Sequence, residues 1–393
     1  MKIILTIDSF KGSLTSEEAE QAVREGILNL SPEHCIEAIP IADGGEGMVA
    51  VMLASIGGTK QTAMTHDPLM APIKADYGIS ADGTTAFIEM AAASGLPLIK
   101  KEQRNPMKTT TYGTGELIKD ALEKGCTRFI VGIGGSATND AGTGMLQALG
   151  FRFLDASGKE LGQGGEILEK VLHICSQDGH EKLKNAHFIV ACDVQNPFYG
   201  PDGAAYVYAR QKGADERMIA DLDRGMQHFA KVLQRCTGMD IGLTAGSGAA
   251  GGMGGGMMAL LGAELKSGAD LLLDISRFDE RIADADLIIT GEGRIDKQSL
   301  MGKIPGKILQ RAQAHGIPVI AIAGSVEEEA LLLEAGFAGV YATKPAGMPL
   351  EEAMKKEVAR KCVYQTVNSL FRHGLHGFLV CEKNIVIQNG TKV

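Results

Sequence analysis

Strands and helices alternate regularly at both ends of this 393-residue chain, and this alternation limits the folds open to it more than any other feature. Near the amino terminus, a β-like run at 2–7 precedes a helical pattern at 15–30 and a second β-like run at 36–42. The helix opens with Thr15, and Glu18 three residues later completes a capping box. A strand–helix–strand unit implies a parallel sheet, because both strands run in the same direction.

The same alternation returns after residue 285, where three more strands with intervening helices run to about residue 371. The sequence pattern differs between about 58 and 92, where short alternating β-like runs broken by Asp-Pro and Asp-Gly are typical of an antiparallel meander. The Asp-Gly pair at 81–84 is a hairpin-turn signal. The five strands of the two chain ends therefore close most simply into one open sheet, with the middle of the chain inserted as a second domain.

We thus predict an α/β protein with two domains. Residues 1–45 plus 280–393 form a discontinuous Rossmann- or flavodoxin-like domain with a parallel sheet. Residues 46–279 form an inserted α/β domain that holds the meander and the glycine-rich loops. A length of 393 residues agrees with this division, because it exceeds what one ordinary hydrophobic core serves. The last segment, after residue 377, fits no element of this scheme.

Composition restricts the classes of partner. The net charge is −9 and no long basic run occurs, which argues against nucleic acid, because phosphate backbones need concentrated positive charge. No stretch approaches the ~20 apolar residues of a membrane span, and the first apolar run is too short for a signal peptide. Seven dispersed cysteines without a Cys-x-x-Cys pair indicate reduced thiols and argue against structural zinc. We therefore expect a cytoplasmic protein.

Six loops rich in glycine or carboxylates follow predicted strands, where ligands bind in open α/β sheets. They are 7–13, 42–47, 134–140, 191–197, 246–256 and 289–303. In the first loop, Asp8 and Lys11 would point into a cleft, although a turn in which Asp8 caps the next helix is equally consistent with the pattern. In the second, Asp43 could hold a metal ion or a hydroxyl group, or simply form an Asp-Gly turn.

Two of these loops can surround an anion with backbone. Gly134 and Gly135 precede Ser136 and Thr138 and a helix-like run, so N–H groups and hydroxyls could form a phosphate cradle. The pattern is neither a Walker A loop nor Gly-x-Gly-x-x-Gly. The run Gly251–Gly256 allows the closest backbone approach in the chain without side chains for chemistry. Helix packing through small residues explains the residues after this run but not the run itself.

The remaining two loops carry acids. Asp193 and Asn196 end an apolar strand and could share Mg²⁺, although a turn before Pro197 is nearly as consistent. The last loop brings Glu292, Arg294, Asp296 and Lys297 together within six residues. There, a basic group could position a carboxylate or phosphate, while an acid binds metal or accepts a proton.

Backbone cradles, several carboxylates and isolated basic residues, without a catalytic His or Cys, favour phosphoryl transfer, which depends on positioning and charge neutralisation. Two rivals stay open. A nicotinamide-dependent oxidoreductase is disfavoured because no Gly-x-Gly-x-x-Gly follows the first strand. A small-acid-binding regulator would keep the cleft and lack the chemistry, and the intact acids and lysine argue against it.

Eight motifs, in order along the chain, resemble the bacterial glycerate kinases of the glycerate 2-kinase type. They are DSFKGSLTSEEA, PIADGGEGM, TAFIEMAAASGL, TTTYGTGELI, IGGSATNDAGTGMLQALG, ACDVQNPFYGPDGAAYVYARQKGA, GAAGGMGGGMMALLGAELKSG and ITGEGRIDKQSLMGK. The resemblance extends to about residue 375. One departure is Thr6-Ile7, where the family usually has Ala-Pro before the DSFK motif. It changes the strand end but neither the acid nor the lysine.

The resemblance implies ATP- and Mg²⁺-dependent phosphorylation of D-glycerate to 2-phosphoglycerate, in two α/β domains with the active site between them. A 3-kinase is the alternative, and a homo-oligomeric state stays open. Our role assignments remain hypotheses. The ATP phosphates are assigned to Gly134, Gly135, Ser136, Thr138, Gly251, Gly252, Gly254 and Gly255. Mg²⁺ is assigned to Asp193 with Glu292 or Asp296, and the glycerate carboxylate and the migrating phosphoryl group are assigned to Lys11 and Arg294. Asp8 or Asp43 is the base that takes the hydroxyl proton.

Overall fold

A computed structural model describes residues 1–41 and 47–373 of the chain. Asp43 with most of its predicted loop, and the tail after residue 377, lie outside the described residues. Over the described part, no helix combines the length and the apolar character needed to span a bilayer.

The described residues form thirteen strands and fourteen helices, connected by loops and short 3₁₀ turns. The strands are β1 (Lys2–Ile7), β2 (Cys35–Ala38), β3 (Gly58–His66), β4 (Pro72–Ser80), β5 (Thr85–Glu89), β6 (Arg128–Gly132), β7 (Arg152–Leu154), β8 (His173–Cys175), β9 (His187–Ala191), β10 (Glu264–Lys266), β11 (Leu287–Ile295), β12 (Val319–Val326) and β13 (Gly339–Ala342). The helices are α1 (Ser16–Leu28), α2 (Met48–Ile56), α3 (Ala91–Ser94), α4 (Tyr112–Glu123), α5 (Thr143–Ala148), α6 (Ala204–Tyr208), α7 (Glu216–Thr237), α8 (Ala249–Leu261), α9 (Gly268–Ile275), α10 (Phe278–Ile282), α11 (Ile304–Ala314), α12 (Glu329–Glu334), α13 (Leu350–Ala353) and α14 (Lys356–His373).

Contacts between residues divide the chain into two compact units. The first comprises Met1–Ala42 and Leu273–Val393, and the second comprises Asp43–Leu272. The domain boundaries drawn from the sequence, at 45/46 and 279/280, stay a prediction.

The first unit contains one five-stranded sheet in the order β13-β12-β11-β1-β2, and every pair of neighbours is parallel. Counted along the chain within this unit, the order is 2-1-3-4-5, as in flavodoxin-like folds. The predicted α/β class and parallel sheet are confirmed. The second strand is shorter than the predicted run 36–42, since it ends at Ala38 on the sheet edge. Pro40, which has no N–H to donate, explains the early end.

Helices α1 and α14 cover one face of this sheet. The apolar positions Ala19, Val23 and Ile27 of α1 are fully buried and share a core with Val363 of α14 and with β1. At the start of α1 the predicted capping box is present: the Thr15 hydroxyl accepts from the Glu18 N–H, and the Glu18 carboxylate accepts from the Thr15 N–H. The packing fixes the connection from β1 into α1, which carries the first predicted loop.

The second unit contains a six-stranded mixed sheet in the order β10-β9-β6-β5-β4-β3. Strands β3, β4 and β5 pair antiparallel, which confirms the predicted meander, and the turn at 81–84 joins β4 to β5. Strands β5, β6, β9 and β10 pair parallel, in that order across the sheet. Gly132 of β6 lies opposite Ala191 of β9, so the loops that follow these two strands leave the same edge of the sheet.

Candidate active site

The first predicted loop and the last one lie side by side in the first unit. Strand β1 pairs with β11 up to Ile7 opposite Gly291, and the Asp8 N–H donates to the Gly291 carbonyl at 2.9 Å. The neighbours β2 and β11 lie on opposite sides of β1, so this is where the strand order reverses direction. Ligands bind at the carboxyl ends of strands at such a switch point.

A pocket of about 440 Å³ opens at this edge of the sheet. Five of the predicted site residues line it, namely Asp8, Lys11, Glu292, Arg294 and Asp296. The pocket is also lined by Lys303, the last residue of the predicted loop 289–303, and by Ser325, Thr343 and Lys344, which lie outside the predicted loops. Polar and charged side chains from four adjacent parallel strands and their following loops therefore converge on one small volume, which suits an anionic substrate.

Asp8 is only 6% exposed, yet its carboxylate lies on the pocket wall. Its Oδ1 accepts from the N–H of Ser9 at 2.7 Å, which orients the carboxylate at the strand end. The loop then closes tightly, because the Phe10 N–H donates to the Leu14 carbonyl across a turn that places Gly12 at φ +78°. Thr15, not Asp8, caps α1, so the helix-capping alternative for Asp8 is wrong.

Glu292 and Asp296 are linked through one serine. The Ser299 hydroxyl donates to Glu292 Oε1 at 2.6 Å and accepts from the Asp296 N–H at 3.3 Å. Asp296 also caps the 3₁₀ turn Lys297–Leu300, since its Oδ1 accepts from the Gln298 N–H. Both carboxylates are thus held in place by their own loop. This loop presents oxygen atoms to the pocket in a fixed arrangement.

Arg294 projects from the same strand and is 60% exposed along its side chain. Its guanidinium pairs with Glu327 at 2.8 Å and with Asp296 at 3.4 Å. Surface ion pairs of this kind contribute little to stability, so they leave Arg294 able to exchange partners with an incoming anion.

The two carboxylates of this loop, Glu292 and Asp296, are suitable ligands for Mg²⁺. Carboxylate oxygens are ligands that Mg²⁺ prefers, and this ion is commonly held by one or two carboxylates together with substrate phosphates and water. Glu292 and Asp296 offer such a pair. Within residues 1–41 and 47–373, no group of three or more acids, histidines or cysteines forms a complete metal site. The pair Glu292 and Asp296 fits an ion that also takes phosphate and water oxygens as ligands.

The glycine loop 134–140 follows β6 in the second unit. Gly134 is partly exposed and Gly135 is exposed, but Ser136 is 9% exposed and Thr138 is fully buried. The Thr138 hydroxyl and the amide oxygen of Asn139 make no hydrogen bond within the described part of the chain. Only the first half of the predicted cradle thus reaches solvent, and buried polar atoms lie directly behind it.

Two buried ionisable groups support this loop. Asp140 is fully buried and accepts hydrogen bonds from the N–H and hydroxyl of Thr111 and from the N–H groups of Gly142 and Gly144. Burial raises its pKa, and these four hydrogen bonds oppose the rise. Lys212 donates to the Ser136 hydroxyl and to the Thr138 carbonyl, both at 2.7 Å.

Burial lowers the pKa of Lys212 to about 7, and the charge of Asp140 opposes this effect. In the sequence, this lysine stands out only as part of a longer motif. Nothing in its neighbours indicates burial, because the groups that cover it are distant along the chain.

The glycines at the start of α8 pack against the same loop. A Cβ on Gly251 would lie 2.2 Å from the Thr138 carbonyl oxygen, and one on Gly256 would lie 2.1 Å from that of Ala141. Gly251 and Gly252 have positive φ, and so do Ala141 and Ala250, which are strained there because they carry a Cβ. Close packing against the backbone of Thr138 and Ala141 is therefore a second explanation for the glycine run, beside the binding of an anion.

Two N–H groups near the start of α8 are already used in hydrogen bonds within the protein. Gly252 and Gly255 donate their N–H groups to the carbonyls of Gly248 and Ser247. Direct contact of Gly251, Gly252, Gly254 and Gly255 with phosphate stays a prediction.

Asp193 and Asn196 make hydrogen bonds to different parts of the second unit. Asp193 Oδ1 accepts from the Ser267 hydroxyl and the Gly268 N–H, at the start of α9. Asn196 is held by the Tyr208 hydroxyl and the Asp202 carbonyl. Asp193 belongs to the second unit, whereas Glu292 and Asp296 belong to the first. The metal role of Asp193 stays a prediction.

The chain is similar to known proteins over nearly its whole length. A profile described as "Glycerate kinase family" matches residues 3–373. The Glycerate 2-kinase of Escherichia coli (strain K12) is 45% identical over 356 residues, which cover 90% of this chain and 93% of that protein. A Glycerate kinase of Haemophilus influenzae is 47% identical over 329 residues, covering 84% and 87%.

A solved structure shows the same fold. The crystal structure of a candidate glycerate kinase 2 from Salmonella typhimurium LT2 superposes with a TM-score of 0.83 at 42% identity, and it covers 95% of this chain and 97% of that one. Its similarity therefore extends over both compact units.

Proposed function

Because this chain belongs to the glycerate kinase family, we propose that it transfers the γ-phosphoryl group of ATP to the 2-hydroxyl of D-glycerate. The observation that carries this proposal is the pocket at the ends of β1 and β11, where carboxylates and basic side chains surround about 440 Å³. Phosphoryl transfer needs groups that position the acceptor and neutralise charge more than it needs a covalent nucleophile.

We assign the acceptor side of the reaction to the first unit. Lys11 and Arg294 bind the glycerate carboxylate and the migrating phosphoryl group, since both line the pocket and carry positive charge. Asp8 takes the proton of the attacking hydroxyl. Its carboxylate is fixed by the Ser9 N–H, and a fixed acceptor at a strand end is what a general base requires. Asp43 is the second candidate for this role.

We assign the donor side to the loop 134–140. The backbone of Gly134 and Gly135 and the hydroxyl of Ser136 bind the ATP phosphates, because these three residues are the part of the loop nearest to solvent. Thr138 and the glycines of α8 shape the loop from behind. They would contact phosphate only after local rearrangement.

We propose that Mg²⁺ is held by Glu292 and Asp296, with Asp193 as the further ligand predicted from the sequence. The bound ion would neutralise the negative charge of the phosphates. The chain orients the Glu292 carboxylate through the Ser299 hydroxyl and the Asp296 carboxylate through the Gln298 N–H. A cytoplasmic location and a homo-oligomeric state stay predictions.

The choice of the 2-hydroxyl is supported by the E. coli relative, which is named a glycerate 2-kinase. A 3-kinase would differ only in how the three-carbon acceptor is oriented against Asp8. Enolase distinguishes the two, because it converts 2-phosphoglycerate to phosphoenolpyruvate directly. Signal with enolase alone supports the 2-kinase, whereas a requirement for phosphoglycerate mutase indicates a 3-kinase.

The direct test of the proposal is ADP release by the purified protein with Mg-ATP, with and without D-glycerate. We expect release to depend on D-glycerate and to be strongly reduced by Lys11→Met. ADP release that does not rise above the glycerate-free control would overturn the proposal.

Thermal protection separates the rival functions. A kinase gains stability with Mg-ATP, an oxidoreductase with NAD(P), and a regulator with the acid alone, because each ligand stabilises the state that binds it.

A further inference from the structure

Lys212 is a fully buried lysine that the proposed reaction does not use. It is 2% exposed, in the 3₁₀ turn Arg210–Lys212 that follows α6. A lysine is almost never fully buried unless it has partners, because removing its charge from water costs free energy. Both of its hydrogen bonds go to one loop: to the hydroxyl of Ser136 and to the carbonyl of Thr138.

That loop is 134–140, which the proposed function uses to bind ATP phosphates. The two bonds join positions on either side of Ala137, so they fix Ser136 relative to Thr138. The loop carries two buried polar atoms without a partner among the described residues, on Thr138 and Asn139. Once protonated, a buried amine behind such a loop adds positive potential where the phosphates would lie, because little water screens it there.

We propose that Lys212 is a positioning residue of the nucleotide site, whose side-chain amine holds the loop 134–140 in its phosphate-binding form and takes up a proton when the nucleotide binds. This inference rests on the proposed function, because it concerns the same loop. It is distinct from the assigned roles, since Lys212 lies behind the loop and is not among the residues that line the pocket of the first unit.

Proton uptake follows from the charges around the amine. Burial lowers the pKa of Lys212 to about 7, and Asp140 is the ionisable side chain whose charge acts against that effect. The two hydrogen-bond partners, Ser136 and Thr138, are neutral groups. At pH 8 much of the amine is therefore uncharged. A polyanion at Gly134 and Gly135 would favour the charged form and raise the pKa.

The test is the binding of Mg-ADP at pH 8 by titration calorimetry in buffers of different ionisation enthalpy. At this pH the nucleotide phosphates are fully ionised and contribute little proton exchange. We expect the wild type to take up on the order of 0.5 proton per nucleotide. Lys212→Met should lose this uptake, raise KM for ATP by roughly 10-fold, and leave KM for D-glycerate within about twofold.

Steady-state kinetics supply a second signature. KM for ATP of the wild type should rise several-fold from pH 6.5 to pH 8.5, whereas that of Lys212→Met should change much less. The matched control is Lys182→Met, because Lys182 also donates two hydrogen bonds within the second unit, to the carbonyls of Leu122 and Glu123, but is exposed. It should keep both the proton uptake and the wild-type KM values.

The outcomes separate the inference from the proposed function. Absent glycerate-dependent ADP release in the wild type overturns the kinase proposal itself. A working kinase that shows no proton uptake, or the same uptake in Lys212→Met, overturns only the role of Lys212.

If Lys212→Met fails to fold, Lys212→Gln decides, because its side-chain amide can still donate a hydrogen bond to the loop but cannot take up a proton. Loss of the proton uptake supports the inference, and the wild-type uptake in this variant overturns it.

Discussion

At the scale of single residues, the proposed chemistry depends most on Asp8. Replacing it by Asn keeps the shape and removes the proton acceptor, so we expect kcat to fall by roughly 10²–10⁴-fold. The Tm should stay within a few degrees, because the amide oxygen can still accept from the Ser9 N–H. Steady-state assays and a thermal melt measure both quantities.

Asp178→Asn is the matched control, since Asp178 forms an exposed ion pair with Arg152. Its turnover should match the wild type. Near-normal turnover of Asp8→Asn would move the base to Asp43, and near-normal turnover of Asp43→Asn as well would contradict a carboxylate base at either position.

Glu20 leads to a prediction about pH. It lies in α1 with 7% exposure, and burial raises its pKa to about 8, against the weaker opposing effect of the Ile7 N–H. Between pH 4.5 and 8 the folded chain holds a proton here that the unfolded chain has lost, so folding stability falls as pH rises through this window.

Glu20→Gln removes that dependence. Each pKa unit corresponds to about 1.4 kcal/mol, so the wild type should lose up to a few kcal/mol relative to the variant between pH 6 and pH 8.5. Thermal melts at both pH values measure this. A Tm difference that does not change with pH would show that Glu20 titrates normally in the folded chain.

The sequence predicts five of the pocket residues because their signal is local. Asp8 and Glu292 each follow an apolar run that ends in polar residues, and parallel strands bring such ends to one edge. Lys212 lacks a local signal, since its burial comes from the loop at 134–140. A partner of Glu89 is likewise distant along the chain, since the Glu89 carboxylate accepts from the Val49 N–H of α2. Tertiary packing determines the burial of Lys212 and the hydrogen-bond partner of Glu89, so neither can be read from neighbouring residues.

At the scale of elements, the contact between α8 and the loop 134–140 is the most sensitive. Gly251 has φ +68°, and a Cβ there would meet the Thr138 carbonyl oxygen at 2.2 Å. Gly251→Ala should therefore destabilise the protein by about 2–5 kcal/mol, as the sum of backbone strain and overpacking. Denaturant unfolding measures the loss. KM for ATP of the folded fraction should also rise, because the loop must shift.

Gly262 provides the control on the same helix. Its φ is +63°, but a Cβ at this position would have no neighbouring atom within 4 Å, so Gly262→Ala adds strain without a clash. We expect a loss of only about 1–2 kcal/mol and an unchanged KM for ATP. Equal losses in the two variants would contradict the packing role of Gly251.

The sequence predicts whether a segment is a helix or a strand where its periodic pattern is long. It predicts the ends of a segment only where a local signal marks them. The capping box at Thr15 predicts the start of α1 correctly, because it depends on neighbouring residues alone. The glycine run has the pattern of a binding loop, yet in the structure it belongs to α8, across a kink at 250–252. Sequence alone cannot tell whether a glycine admits a ligand or another segment of the same chain.

At the scale of the whole molecule, the alternation at the two chain ends predicts a five-stranded parallel sheet. It does not predict the strand order, in which β1 lies between β2 and β11. That order depends on pairing between residues far apart in the chain, such as Ile3 with Leu287. It also decides the chemistry, because it places Asp8 beside Glu292 and creates the switch point where the pocket lies.

The most direct test of the central claim is the ³¹P NMR spectrum of the product formed from D-glycerate and Mg-ATP. A phosphate on the 2-hydroxyl is coupled to one proton and gives a doublet, whereas a phosphate on the 3-hydroxyl is coupled to two and gives a triplet. We predict a new doublet that grows with the ADP signal. A triplet would contradict the 2-kinase assignment, and no new phosphate ester would contradict glycerate phosphorylation altogether.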